Sequence, residues 1–464
     1  MSFEKNDTIA AISTSIGPGG IGIVRISGPE ALAVADAVFI PSGKDKPSEC
    51  PSHTVHYGHV RQPETSETLD EALISVMRSP RTYTLEDIVE ISCHGGQMSL
   101  KKVLNACIIA GSRIAEPGEF TKRAFVNGRI DLAQAEAVMD IISSETEKAQ
   151  RLALCQLEGG FSARVEEFRE KLIGILALIE LALDFSGEDV EMPSGSGVLS
   201  EIRKIARDIE AFSGTARGGM MVRYGSDIVI CGKPNVGKSS LMNALLKHER
   251  VIVTPIAGTT RDVVEESIIL DGVKVRLSDT AGIVDTEDRV EKEGIRRSRE
   301  KLSSADLVIF MVDSSSGVTE QDIGIYNAVK LKKNVIAVNK TDLDEKVSAG
   351  QAAKIFANQD VVMISALKKR GLEELERAIT KKLFSESPLP SGESPVIMNA
   401  RHADCMEKAV SAARKAMETA ESGGNFELIA TDIRESAHYL GLITGKTIED
   451  DVLGRIFSGF CIGK

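Results

Sequence analysis

The residues of this chain best suited to hold phosphate lie in Gly232-Lys-Pro-Asn-Val-Gly-Lys-Ser239. Glycines there let successive backbone N–H groups turn inward around phosphate oxygens. Lys238 would reach the terminal phosphates, and the Ser239 hydroxyl would hold Mg²⁺. Asn235, Val236, Gly237 and Ser240 complete the expected cradle. A glycine-rich turn fits the GxxxxGK[ST] string by chance often enough that its flanks must decide. Before it, Asp227-Ile-Val-Ile-Cys231 reads as a buried strand; after it, Ser240-Leu-Met-Asn-Ala-Leu-Leu246 has helical spacing. Strand, glycine loop and helix together make the string a P-loop.

Four further stations follow in order. Thr259-Thr260-Arg261-Asp262 sits in a glycine-hinged loop, where a threonine hydroxyl completes Mg²⁺ coordination. At a strand end, Asp279 is placed to hold the metal's water shell. Thr280, Ala281 and Gly282 come next, with the Gly282 N–H suited to sensing a γ-phosphate. Asn339, Lys340 and Asp342 end another strand, and a carboxylate there accepts both N1–H and N2–H of guanine. Ser365, Ala366 and Leu367 end the last strand, offering backbone N–H groups to the guanine oxygen. Each tetrapeptide alone is weak: Asn-Lys-x-Asp fits a simple turn, and Asp-Thr-Ala-Gly a helix cap. Five stations in order, each after a strand, resemble the translation-factor branch of the GTPases. One departure matters. Ras-like GTPases carry a water-orienting glutamine after Asp-x-x-Gly, but here Ile283 stands in its place. Asn235 offers a carbonyl near the phosphates, and Thr254, Pro255, Ile256, Ala257, Gly258, Thr259 and Thr260 form a loop with spare carbonyls and hydroxyls. Together they are suited to a monovalent cation that does the electrostatic work of an arginine finger, with K⁺ the abundant candidate.

The elements that position these stations alternate over 220–384 as strand and helix, the pattern of an open, mostly parallel sheet. Strands are expected at 227–231, 265–270, 273–278, 307–312, 335–338 and 361–364. The Asp271-Gly272 hairpin makes one edge strand antiparallel. Residues 1–125 read as a mixed α/β domain. Its strands are Thr8–Ile12, Ile21–Ser27, His53–Gln62, Leu69–Met77 and Asp87–His94, and its helices Pro29–Phe39 and Met98–Ala110. On Asp87–His94, Glu90, Ser92 and His94 share one face, which is either solvent-exposed or a ligand face. Arg25, inside an apolar strand, is either a snorkelling edge residue or an anion ligand. The helical period begins at about 126 with Leu132, Ala135, Val138 or Met139, and Ile142. It continues over Phe161–Phe185 and Val198–Ala216, broken at Pro193-Ser-Gly-Ser-Gly197. Helices resume at Ala400–Ala420, Phe426–Gly441 and Thr447–Ile456. The expected fold is α/β and α: a P-loop domain (220–384) inserted in one helical bundle (126–219 and 385–464) behind an N-terminal α/β domain.

Composition bounds the partners. The 464 residues include 56 basic and 68 acidic side chains, a net charge of -12, which excludes a chain-wide coat for nucleic acid but leaves room for a local basic patch. Seven cysteines without a paired spacing point to free thiols in a reducing compartment. The N-terminus shows no signal-peptide pattern, and the longest apolar stretch, Leu172 to Leu183, is too short to span a bilayer. These features point to a soluble, cytoplasmic protein.

Longer segments carry a closer resemblance. They are Gly17-Pro-Gly-Gly-Ile-Gly-Ile-Val-Arg-Ile-Ser-Gly28, Glu90-Ile-Ser-Cys-His-Gly-Gly96, the run Pro117 to Glu136, and the terminal Phe460-Cys-Ile-Gly-Lys464. With Asn235 and Ile283, the chain resembles the MnmE (TrmE) family of bacterial tRNA-modification GTPases over essentially its whole length. The resemblance implies an N-terminal domain that binds 5,10-methylenetetrahydrofolate or 5-formyltetrahydrofolate and forms a homodimer. It implies GTPase domains that meet across K⁺, and a FAD-containing partner, MnmG (GidA), in a heterotetramer or larger complex. With that partner the family builds an aminomethyl or carboxymethylaminomethyl group on wobble uridine of tRNA. By matching position, the folate contacts are Arg25, Glu90, Arg129 and Lys464. The K⁺ ligands are Asn235, Thr254, Ile256 (backbone) and Thr259, and the Mg²⁺ ligands Ser239 and Thr260. Glu291 takes the catalytic water-orienting role beside Lys238, against the alternative of a solvated glutamate in a charged helix. Cys461 is either a reactive thiol or a packing residue. The alternative function is a regulatory RNA-binding GTPase of ribosome assembly. The folate-like N-terminal domain and the Cys-Ile-Gly-Lys end weigh against it.

Overall fold

The computed structural model describes residues 7–15, 17–184, 195–248, 266–279, 301–357, 360–385, 389–390, 394–447 and 450–463. They fall into two compact units. One holds the described residues up to Met139 and from Gly441 onward; the other holds those from Asp140 to Leu440.

The first unit is built on seven strands: β1 (Ile9–Ile12), β2 (Ile21–Ser27), β3 (Phe39–Pro41), β4 (Thr54–Arg61), β5 (Thr68–Met77), β6 (Ile88–His94) and β7 (Arg113–Ile114). Their order is β3-β4-β5-β6-β2-β1-β7, antiparallel except for the β1/β7 pair. Helices α1 (Ala31–Val38) and α2 (Gln97–Ile109) supply Val34, Val38, Leu100 and Val103 to a core shared with Val24, Ile26, Ile74 and Ile91. Alternation along the strands decides what is left outside. Ile21, Val55, Tyr57 and Leu73 are exposed, at 69, 62, 48 and 45%. The helix expected to run to Phe39 stops at Val38, because Phe39 enters β3 opposite Val60. Strands of three and two residues, like β3 and β7, carry too little alternation to be read locally.

Helix α3 (Glu119–Val126) precedes the point where helical periodicity becomes visible. It starts at Gly118, whose φ of 67° brings the chain against Phe460; a Cβ there would lie 2.8 Å from that residue's Cβ. Its charged face is buried. Arg123, with a side chain 5% exposed, reaches Asp7 Oδ1 at 2.6 Å and Glu119 Oε1 at 3.0 Å, and Glu119 is 2% exposed. Arg113 closes the cluster on Asp7 and Glu119 at 2.6 and 2.7 Å, and Glu86 lies 3.2 Å from Arg123. Three segments distant in sequence, at Asp7, Glu86 and 113–123, are thus held by charge-assisted hydrogen bonds. The helix Asp450–Ser458 packs here as well, with Phe457 and Phe460 against Ala124 and Leu132.

In the second unit, helices α4 (Leu132–Ser143, entering from the first unit), α5 (Glu147–Leu157), α6 (Gly160–Asp184), α7 (Gly195–Ser213) and α8 (Ala216–Tyr224) lead into the nucleotide-type sheet. Gly195 to Gly197, expected as part of a break, stand in the first turn of α7. The helix expected to continue to Ala216 instead ends at Ser213 and restarts. Gly219 then approaches the Ile397 carbonyl so closely that a Cβ would lie 2.1 Å from it. The sheet has six strands: β8 (Ser226–Gly232), β9 (Ser267–Leu270), β10 (Val273–Asp279), β11 (Leu307–Asp313), β12 (Asn334–Asn339) and β13 (Val361–Met363), ordered β13-β12-β11-β8-β10-β9. All pairs are parallel except β9/β10, whose turn at Asp271 and Gly272 has φ of 50° and 76°. Both faces are buried: Ile228, Ile309 and Val335 line one core, and Val229, Phe310 and Ile336 the other. Helices α9 (Lys238–His248), α10 (Glu320–Val329), α11 (Ala349–Ile355) and α12 (Leu372–Phe384) complete the domain. The chain then returns through α13 (Ala400–Glu421) and α14 (Phe426–Thr444). Arg203 pairs with Glu421 at 2.6 Å and Glu180 with Arg434 at 2.9 Å, and the Phe161 ring stacks on His402 at 5.0 Å. The helices on either side of the nucleotide domain therefore form one bundle around its insertion.

The cluster around Arg123 predicts acid sensitivity. Burial alone would raise the carboxyl pKa values of Asp7 and Glu119, but hydrogen bonds from Arg113 and Arg123 outweigh it and hold both below their ordinary values. Depressed folded-state values stabilise the protein above the unfolded carboxyl range and lose that contribution as pH falls through them. Amide protection in α3, followed by hydrogen exchange, will therefore fall below about pH 4. Glu119→Gln will cost about 3 kcal/mol of that protection at neutral pH and flatten its acid slope.

Candidate nucleotide site

The site forms where the parallel strands end at their carboxyl edge, the place where open α/β sheets bind ligands. Three backbone positions shape the loop after β8: Gly232 at φ 151°, Asn235 at 64° and Gly237 at 99°. Lys238 Nζ donates to the carbonyls of Gly232 and Lys233, each at 3.0 Å, which curls the loop around its own lysine. Val236 is buried beneath it, while Asn235, Ser239 and Ser240 are exposed.

Asn339, at the end of β12 and 3% exposed, connects the stations. Its Nδ2 donates to the Val236 carbonyl at 2.8 Å, and its Oδ1 accepts from the Ala366 N–H at 3.0 Å. Ala366 was expected to offer that N–H to a base; it is committed to Asn339 instead. Asp342 Oδ1 accepts from Ser365 Oγ at 2.5 Å, and this hydrogen bond outweighs the opposing effect of desolvation and holds the Asp342 carboxyl below its ordinary pKa. An ionised acceptor thus stands where two guanine donors would arrive. Lys340, at φ 67°, pairs with Asp313 at 2.6 Å. That partner sits at the end of β11 and has no local sequence signal.

The metal-binding expectation meets a specific geometry. Ser239 Oγ lies 3.3 Å from Asp279 Oδ2, and Asp279 Oδ1 is buried with no partner among the described residues. A hydroxyl beside a carboxylate that keeps one oxygen unsatisfied among the described residues suits a hydrated Mg²⁺. Thr254, Pro255, Ile256, Ala257, Gly258, Thr259, Thr260, Thr280, Ala281, Gly282, Ile283 and Glu291 lie outside the described residues. Of the expected K⁺ ligands, only Asn235 is described.

In the first unit, Arg25 and Glu90 are direct partners across β2 and β6. Arg25 Nε and Nη2 both reach Glu90 Oε1 at 2.8 Å, and Nη1 donates to the Gly463 carbonyl at 3.4 Å. The guanidinium lies 5.9 Å from the Tyr83 ring and 5.6 Å from that of Phe120. The Arg129 guanidinium lies over the Tyr83 ring, 4.7 Å from its centroid, and makes no side-chain hydrogen bond among the described residues. The side chains of Arg25 and Glu90 are about one-fifth exposed, at 22 and 23%, so neither a snorkelling edge residue nor simple solvent exposure describes them. Tyr83 and Phe120 carried no signal in the sequence pattern. Lys464 lies outside the described residues. Cys461 is exposed, so the packing alternative for its thiol does not hold.

Sequence relatives now decide the family. Residues 8–129 match the pattern described as GTP-binding protein TrmE N-terminus, and 132–461 match the MnmE helical domain. A protein of Alkaliphilus oremlandii named tRNA modification GTPase MnmE is 44% identical over 99% of this chain and 99% of its own. The chain belongs to the MnmE family. A relative of the same name from Acetivibrio thermocellus is 45% identical over 99% of this chain and 100% of its own. One from Staphylococcus haemolyticus is 42% identical over 99% of each. A crystal structure of Aquifex aeolicus Era is 30% identical over 40% of this chain and 66% of that one, at a TM-score of 0.28.

For this member of the family, the tightest point of the site is testable. A Cβ on Gly237 would lie 2.4 Å from Asn339 Nδ2, at a φ that side chains rarely adopt. Gly237→Ala will break the Asn339–Val236 hydrogen bond and weaken guanine-nucleotide binding at least about tenfold. Titration with a fluorescent GDP analogue, set beside the thermal transition, measures it.

Proposed function

We propose that the protein is a K⁺-stimulated GTPase. It hydrolyses GTP to GDP and phosphate and serves, with a FAD-containing partner of the MnmG (GidA) kind, the C5 modification of wobble uridine in tRNA. The observation that carries the nucleotide reading is the Asn339 side chain, which joins the phosphate loop at Val236 to the base loop at Ala366. Asp342 supplies the ionised acceptor for guanine N1–H and N2–H, with Leu367 beside Ala366 at the base oxygen. Lys238 exchanges its loop carbonyls for terminal phosphate oxygens. Ser239 and the unsatisfied Asp279 oxygen suit Mg²⁺, which Thr260 would complete. Glu291 is assigned to orient the attacking water, since Ile283 has no polar atom for it. Asn235, Thr254, Ile256 and Thr259 would hold K⁺, which when bound supplies positive charge near the phosphates as charge develops.

Arg25, Glu90, Arg129 and Lys464 form the proposed tetrahydrofolate site. Both contacts of Arg25 with Glu90, from Nε and Nη2, fall on Oε1, which leaves Oε2 as an acceptor for a planar amino-heterocycle. The Arg129 guanidinium, with no hydrogen bond among the described residues, suits the carboxylate end of such a ligand. The exposed apolar residues Ile21, Val55, Tyr57 and Leu73 on one sheet face support a homodimer through this unit. Cytoplasmic action on tRNA fits the free cysteines, and among the described residues no helix is long and apolar enough to cross a membrane.

Two outcomes test the reading. GTP turnover will be at least about tenfold faster in KCl than in NaCl at equal ionic strength, and equal rates would remove the cation. Asp342→Asn will lose GTP and gain xanthosine triphosphate, because the amide can donate where guanine's N2–H is replaced by a carbonyl. Competition binding of the two nucleotides reads this exchange, and unchanged GTP affinity would mean the base station is misassigned.

A further inference from the structure

The side chain of Lys233, the second residue of the phosphate loop, takes no part in the contacts described so far, yet its tip is firmly held. Its Nζ lies 2.7 Å from Asp322 Oδ2 and donates to Thr319 Oγ1 at 3.0 Å. The Asp322 side chain is fully buried, and that of Lys233 is 12% exposed. Asp322 belongs to the first turn of α10. Its Oδ2 also accepts from Thr319 N and Thr319 Oγ1, each at 2.8 Å. Those two bonds cap the helix by themselves and need no lysine from another segment. Oδ1 of the same carboxylate is buried and has no partner among the described residues. Three donors crowd one oxygen while the other goes unsatisfied, a poor arrangement for stability alone.

The backbone of Lys233 shows what the anchor controls. Its carbonyl is one of the two that receive Lys238 Nζ, and Gly232 before it and Asn235 after it hold positive φ. The segment that anchors it is tied down at both ends. Asp313 at its start pairs with Lys340 of the base loop, and Asp322 at its end pairs with Lys233. The span from base loop to phosphate loop is thereby set on a second route, separate from Asn339. We propose that Lys233 is a positioning residue for nucleotide binding, and that its ion pair with Asp322 at the start of α10 fixes the first half of the phosphate loop in its phosphate-receiving curvature. This rests on the guanine-nucleotide reading of the site.

The test uses the full chain and three variants: Lys233→Met, the doubly neutral Lys233→Met/Asp322→Asn, and Lys233→Arg. Titration with a fluorescent GDP analogue and steady-state GTP turnover in KCl are measured beside the thermal transition. The first two variants will weaken GDP binding and raise KM by about tenfold, with kcat at saturating GTP within about twofold of the unaltered protein. Lys233→Arg will restore binding, because the guanidinium fork can reach both Asp322 oxygens. Three results would overturn the proposal. One is a double variant that melts and binds GDP as the unaltered protein does; another is a loss confined to kcat. The third is failure of both lysine-less variants to fold, which would assign the pair to stability. If the unaltered protein does not bind GDP, the nucleotide reading itself falls and takes this one with it; if it binds and the variants are indifferent, only the role of Lys233 falls.

Discussion

The nucleotide half of the molecule depends on one buried primary amide. Asn339 is nearly inaccessible and must satisfy both a donor and an acceptor inside the protein. It does so with two loops, pairing with the Val236 carbonyl in one and the Ala366 N–H in the other. Leaving either end unpaired would cost about 1–3 kcal/mol, comparable to the free energy that discriminates one ligand from another. The loops are therefore registered to each other by the sheet and not by a ligand. The parallel strands β8, β11 and β12 put their carboxyl ends at one edge, and Asn339 converts that shared edge into a set spacing between phosphate and base.

The first unit uses a different device for the same problem. Its candidate site gathers residues from both ends of the chain, and the C-terminal segment is threaded rather than merely adjacent. Gly463, at φ 94°, passes so close to β1 that a Cβ would lie 2.2 Å from the Ile12 carbonyl, and its own carbonyl accepts from Ser13 Oγ and Arg25. Gly118 makes the corresponding close pass under Phe460. Arg25 thus spends one face of its guanidinium on Glu90 and another on the terminal backbone, an arrangement that fixes its plane between Tyr83 and Phe120. A lysine could meet the same charges but would not be held in a plane.

What the sequence disclosed follows from the range of the interactions involved. The strands of the nucleotide sheet and its single antiparallel edge were legible, because apolar runs and Asp-Gly turns act over a few residues. So were the long helices on either side of it. Arg25 and Glu90 looked ambiguous because the partnership that defines them spans 65 positions and is fixed by the register of β2 on β6. The charged face of α3 was illegible for the same reason. Glu119 and Arg123 at helical spacing describe a solvated surface until Asp7, Glu86 and Arg113 arrive from elsewhere. The break before α8 had no periodic signature either, since it answers to a carbonyl at Ile397, far along the chain.

The insertion of the nucleotide domain in the bundle imposes a last constraint. The helices before and after it are joined by ion pairs that are mostly half exposed, such as Arg203–Glu421 and Glu180–Arg434. Pairs of that kind contribute about 0–1 kcal/mol each. The bundle's cohesion therefore rests on its apolar seam, where Phe161, Phe168 and Phe212 pack together and His402 stacks on Phe161. At the domain's root the seam gives way to polar bracing. Arg223 pairs with Asp140 at 2.6 Å, and Lys274 with Glu145 at 2.7 Å. Lys148 reaches the Asp271 carbonyl in the β9–β10 turn at 3.1 Å. The last two of these contacts meet β10 and its turn, the same strand that ends in Asp279 beside the phosphate loop. β10 thus joins the domain's root to the phosphate loop through polar contacts that lie apart from the bundle's apolar seam.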